Sequence, residues 1–146
     1  MNASSYVHRN GDKKAAKDYL ERGLKNQESL GSAGAGLLAE FYIRKGILYQ
    51  ANSESTLALE HFQQAARIAE QIPGEKGKTS YIKTILNIGD AIARKGNTKQ
   101  GLQYLQEALR SVKTLKDNQI KEEIHSGIYN TIGSIYFREQ NFQKAI

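Results

Sequence analysis

Along most of the chain apolar residues return every three or four positions, as in Leu102, Leu105, Leu109, Val112 and Leu115, or Ile124, Ile128, Ile132, Ile135 and Tyr136. That period puts them on one face of an α-helix. A half-buried strand would alternate every second residue, and no segment does so. The periodic stretches break at "RNGD", "LGSAGAG", "QANSES", "IPGEKGK", "RKGNTK", "LKDNQ" and "REQN", where turn-favouring residues cluster. The spacing predicts helices of roughly 15 to 20 residues and an all-α fold. At one break Asn97 or Thr98 can cap the following helix, with Gln100 placed to return the bond.

A longer period overlies the helical one. Gly46, Gly89 and Gly133 sit deep inside helical patterns, 43 and 44 residues apart, although glycine there costs about 1 kcal/mol relative to alanine. Their surroundings repeat as well. Tyr42, Ile85 and Tyr129 precede the three glycines, and Tyr49, Ile92 and Tyr136 follow them. Farther on come Ala58, Gly101 and Ala145, then Phe62 and Leu105, then Ala65 and Ala108. A costly residue at equal intervals implies a repeated packing need. Small residues facing one another let two antiparallel helices approach to the short end of the usual range of about 8 to 10 Å.

The pattern resembles the tetratricopeptide repeat (TPR). Its Leu-Gly-x-x-Tyr and Ala-x-x-x-Phe signatures are matched by "KGILY" with "ALEHF", and by "IGSIY" with Ala145. Lys45 stands where the leucine is expected and Gly101 where the alanine is. One period upstream, Ser4 and Val7 take the first-helix slots, and Ala16, Leu20 and Gly23 those of the second helix. The period exceeds the common one of about 34 residues and is similar to the longer-helix branch found in cell-polarity scaffolds, kinesin light chains and bacterial peptide-sensing regulators. The resemblance implies a right-handed superhelical solenoid of antiparallel helix pairs in a single array. It would comprise a partial repeat at 1–35, repeats at 36–78 and 79–121, and a truncated repeat at 122–146. "IPGEKGKTS" would then be a turn between repeats. Both terminal units lack most of one helix, so the chain is expected to be a piece of a longer array and to self-associate through its uncovered terminal repeats.

In such an array the first helix of each pair lines a concave surface. At helical spacing this stripe is Glu40, Arg44, Ile47 and Ala51, then Lys83, Asn87, Asp90 and Arg94, then Gly127, Asn130 or Thr131, Ser134 and Arg138. The candidate peptide-binding residues are Arg44, Lys83, Asn87, Asp90, Arg94, Asn130 and Arg138. The resemblance implies a protein or peptide partner, but not a chaperone tail held by its C-terminal carboxylate. Of the residues that grip such a tail only Asn87 is matched, while Ile43, Ile47, Gly127 and Thr131 replace the others. Arg44, Arg94 and Arg138 have an equally weighted second reading as cations offsetting the dipole at helix C-termini.

Composition removes further classes. The 146 residues include no cysteine and one proline, which excludes a disulfide framework, a thiolate nucleophile and a proline-rich linker. The formal charge of +6 is spread among interleaved acidic and polar residues, so neither a direct nucleic-acid partner nor a membrane surface is expected. No apolar run approaches the roughly 18 residues of a membrane span, and the expected location is cytoplasmic. Gly77-Lys78-Thr79 ends like a phosphate-binding loop, but Ile72 occupies the place of its first glycine and a helix precedes it instead of a strand. His8, His61 and His125 are scattered, with His61 expected to form a solvated pair with Glu60 or Glu54. Tyr42, Tyr49, Tyr129 and Tyr136 fall at buried repeat positions and not on a base-stacking platform. The expectation is a scaffold or interaction module without catalysis, metal or cofactor. The alternative is the ligand-sensing region of a bacterial peptide-responsive regulator.

Overall fold

The computed structural model describes residues 32–145, which form five α-helices: α1 (Ser32–Ala51), α2 (Ser55–Glu70), α3 (Gly74–Arg94), α4 (Thr98–Val112) and α5 (Asn118–Ala145). The RNGD break, Ser4, Val7, His8, Ala16, Leu20, Gly23 and most of the 1–35 unit lie outside the described residues, and so does the side chain of Ala145. No strand occurs among the described residues. No helix among them is long and apolar enough to cross a membrane.

Each successive pair of helices packs together, and α3 also touches α1 and α5. Gln50 near the end of α1 bonds Asp90 near the end of α3. Gly127 in α5 lies close to Leu86, and Arg138 farther along reaches Asp90. The three helices therefore run in the same direction, with α2 and α4 antiparallel to them. Tyr42, Ile43, Ala65 and Ile68 close the α1–α2 interface. Phe62, Ala58, Ile88 and Ala91 join α2 to α3. Ile82, Ile85, Leu105, Val112, Ile124 and Ile128 unite α3, α4 and α5. Fully burying each large aliphatic side chain is worth about 1.5 to 3 kcal/mol, so these interfaces carry most of the stabilisation.

Two of the three repeat glycines stand at close contacts. A Cβ on Gly46 would collide with the Phe62 ring, and one on Gly89 would lie 2.7 Å from the carbonyl oxygen of Gly101. Gly101 has the reciprocal conflict with the Gly89 carbonyl and with Ala93, so glycine in the alanine slot brings α3 and α4 still closer. Gly133 meets nothing within 4 Å. Tyr129 and Tyr136, expected in the core, are 60% and 53% exposed. The reason is positional: α5 lies against α3 and α4 on one side, and its Tyr129–Gly133–Tyr136 face has no described helix upon it.

The helix boundaries correct the expected breaks. α1 begins at Ser32, inside "LGSAGAG", because Ala35, Leu38 and Ala39 are buried against the α2 side of the core and that burial outweighs the glycine cost. The turn in "IPGEKGKTS" is confined to residues 71–73, and Gly77-Lys78-Thr79 lie within α3. Gly77 is buried there, since a Cβ would collide with the carbonyl of Ile72 at the end of α2. The helices α1, α3 and α5 accordingly start ahead of 36, 79 and 122. No break occurs at "REQN", where α5 continues to Ala145. After α1 and α3 the chain reverses through Ser53 (φ 62°) and Gly96 (φ 108°), each seven residues past its repeat glycine. The matching position in α5 is Gln140, which has neither glycine's freedom at positive φ nor serine's short side chain, and the helix runs on.

Other termini follow the sequence. Gln100 donates its backbone N–H to Asn97 Oδ1 at 3.1 Å and accepts from Asn97 Nδ2 at 3.0 Å. Asp117 Oδ1 accepts from the N–H groups of Gln119 and Ile120 at the start of α5. Glu75 in the first turn of α3 accepts the backbone N–H of Lys116 and so ties the α4–α5 turn to the α2–α3 turn. His61 is half-buried between the rings of Tyr42 and Tyr49. Its Nδ1 lies 2.8 Å from the Leu57 carbonyl oxygen, which can only accept, so Nδ1 carries the proton.

Substitution at the glycines tests these contacts. Gly89→Ala should destabilise the protein in urea unfolding, because overpacking against a backbone oxygen costs about 1 to 3 kcal/mol and exceeds the helix-propensity gain of about 1 kcal/mol. Gly133→Ala, with open space around it, should stabilise by about that propensity gain; equal effects at the two positions would show that the glycine contact does not set the α3–α4 spacing. Tyr81 is held above its ordinary pKa of 10.0 by burial first, then by Glu107, Glu70 and Tyr104. The folded state thus favours the neutral phenol: its contribution is complete below pH 10 and is lost as the pH rises through the elevated value. Tyr81→Phe should flatten the alkaline fall in melting temperature, and an unchanged slope would assign that fall to other groups.

Candidate functional site

The C-terminal ends of α1 and α3 and the facing part of α5 enclose a cleft of about 740 Å³. Gln50 and Ser53 come from α1 and its turn, Arg94 and Lys95 from the end of α3, and Ile135, Arg138 and Glu139 from α5. Parallel packing of the three helices brings residues of α1, α3 and α5 to one level. At that level Asp90 is the shared partner. Arg138 Nη2 lies 2.8 Å from Asp90 Oδ1, and Arg94 Nε lies 3.1 Å from Oδ2. Gln50 Nε2 donates to Oδ2 at 3.3 Å. The Asp90 side chain is only 18% exposed, so these bonds are better shielded from water than an ordinary surface ion pair.

The same cluster leaves two features unbalanced. Arg94, Lys95 and Arg138 provide three cations against the carboxylates of Asp90 and Glu139. Gln50 Oε1 is buried and has no hydrogen-bond partner among the described residues, and leaving an acceptor so costs about 1 to 3 kcal/mol.

Of the residues expected on the binding stripe, the structure joins Asp90, Arg94 and Arg138 and leaves the others apart. Arg44 is highly exposed and pairs with Glu40 of its own helix at 3.4 Å. Asn87 Nδ2 donates to the Lys83 carbonyl oxygen one turn back, and Thr131 Oγ1 bonds Gly127 in the same way. Lys83 and Asn130 are exposed and do not line the cleft. Ile43 is buried in the α1–α2 core and is not on the stripe. The dipole-offsetting role fits Arg94, the last residue of α3, but Arg138 lies well before the end of α5. Gln50 and Ser53 were not anticipated. Their signal was the repeat register, since Ser53 stands to Gly46 as Gly96 stands to Gly89.

No family model, characterised protein or solved structure matches the chain.

Asp90→Ala should lower stability by about 1 to 3 kcal/mol, because it strands two arginines and the Gln50 amide at once. Glu40→Ala removes an exposed i,i+4 pair and should cost no more than about 0.5 kcal/mol. A double-mutant cycle of Asp90→Ala with Arg138→Ala measures the inter-helix coupling. Additive effects would mean that the 2.8 Å pair contributes nothing between α3 and α5.

Proposed function

We propose that the chain is a TPR-like array whose first helices, α1, α3 and α5, bind a peptide or partner segment along their shared face, without catalysis. The observation that carries this reading is the parallel set of three helices whose equivalent levels meet in a polar cleft, lined by side chains able to both donate and accept. The recurrence of glycine and large apolar residues every 43 or 44 positions supports repeat architecture, and the packing of each helix on the next supports nearest-neighbour stacking. Lys83, Asn87 and Asn130 precede Asp90, Arg94 and Arg138 along α3 and α5 and would supply further polar groups to a bound segment. A segment lying there would use backbone hydrogen bonds for affinity and the charged cleft for selection.

A displayed random dodecapeptide library tests the proposal. Enriched peptides should lose about 1 to 3 kcal/mol of affinity when Asn87, Asn130 and Arg94 are changed to alanine, with helicity retained in circular dichroism. Lys99, Gln103 and Arg110, exposed on α4, should be neutral on substitution. An equal loss from that second set would move the partner to the opposite side, and no enrichment at all would remove the peptide-binding reading.

A further inference from the structure

We propose that the cleft at Gln50, Arg94 and Arg138 selects an acidic side chain, aspartate or glutamate, within the bound segment, together with the peptide N–H beside it; this rests on the peptide-binding reading above. The demand for a carboxylate comes from the cations. Each guanidinium offers five N–H donors, and Asp90 takes one from Arg138 and one from Arg94. Both arginines line the cleft and retain donors for a second carboxylate, which the excess of cations there favours. The incoming group would share the arginines with Asp90 without displacing it, since Asp90 is also held by Gln50.

The demand for an N–H comes from Gln50. A carboxylate oxygen can only accept, so the bond to Asp90 fixes the amide with Nε2 toward Asp90 and Oε1 on the other side. That Oε1 is buried and unpartnered among the described residues, so a ligand donor reaches it when the Gln50 side chain shifts toward the cleft it lines. A lone anion would repel it. A donor and an anion in one ligand, a few ångströms apart, satisfy both requirements, and a peptide residue with an acidic side chain carries that pair. The volume of about 740 Å³ falls within the range of about 300 to 1,000 Å³ usual for ligand sites. Ser53, a non-glycine residue at φ 62° in the cleft wall, is consistent with a constrained backbone at a binding site.

The test uses the full chain and C-terminally amidated peptides enriched from the dodecapeptide library, so that no terminal carboxylate is present. Enriched sequences should contain Asp or Glu at a fixed position. Changing that residue to Asn or Gln should weaken binding about tenfold or more, and the same change should have little effect against Arg94→Gln or Arg138→Gln protein. Gln50→Met removes the unpartnered acceptor together with the Nε2 bond to Asp90, so it should lower peptide affinity as well as thermal stability; a purely structural Gln50 would lower stability and leave affinity intact. Peptides that bind without any acidic preference, or whose acidic residue is indifferent to both arginine variants, overturn this inference and leave peptide binding standing. Binding that appears only with free C-termini overturns the side-chain assignment. Inorganic phosphate that binds through the same arginines while acidic peptides fail to bind would make the cleft an anion site instead. A library that yields no binder removes both this inference and the reading beneath it.

Discussion

Between α3 and α4 the two backbones meet where neither carries a side chain, with Gly89 and Gly101 each facing the other's carbonyl. The approach excludes even a methyl group. Glycine weakens each helix by about 1 kcal/mol, and the loss is offset because the close crossing lets Ile85, Leu105, Ala108 and Val112 interlock around it. α3 is held in the same fashion at its start, where Gly77 sits against the Ile72 carbonyl. With both ends of α3 constrained by backbone contact, the helix has little freedom to slide or rotate. Asp90, the residue after Gly89, inherits that precision.

The polar cluster is built on this fixed point. α1 and α5 do not pack on each other, yet Gln50 and Arg138 meet at one carboxylate because α3 carries Asp90 to the place where both helices pass. Hydrogen bonds made in partial burial gain strength from the lowered dielectric, and the same burial raises the cost of any atom left out. Gln50 Oε1 shows the second half of that rule. The arrangement holds three helices in register while keeping an acceptor and several guanidinium donors uncommitted.

Much of the helical organisation was legible in the sequence, through the three-to-four-residue recurrence of apolar positions and the Asn97–Gln100 cap. The contacts of Gly46 and Gly89 were legible because a helix-weakening residue held at fixed intervals points to a close approach that recurs with the same period. What the pattern missed had local physical causes. Glycine-rich stretches at 32–36 and 74–77 look like turns by composition, whereas tertiary burial of Ala35 and the tight seat of Gly77 keep them helical. "REQN" looks like a break, but Gln140 stands where the earlier turns place residues of positive φ. Tyr129 and Tyr136 occupy core slots by register and are exposed by position. For the site, spacing placed Asp90, Arg94 and Arg138 on one stripe, but only coordinates could show that one carboxylate binds both arginines. Gln50 lay one residue outside the predicted stripe, and its long amide reaches in.

Asp90 bridges residues only 40 and 48 positions away in sequence, and helices pack only on their first or second neighbours along the chain. Loops that must close during folding are therefore short, and closure entropy grows only with the logarithm of their length. Among the described residues the contacts that join helices are thus close in sequence, and contacts of that kind favour fast folding. The α3–α4 hairpin, with its reciprocal glycines, closes through contacts local in sequence, and α2 and α5 pack on it without contacting each other. The polar cluster needs α1, α3 and α5 together, so it is complete only when helices from three separate stretches of the chain are all in place.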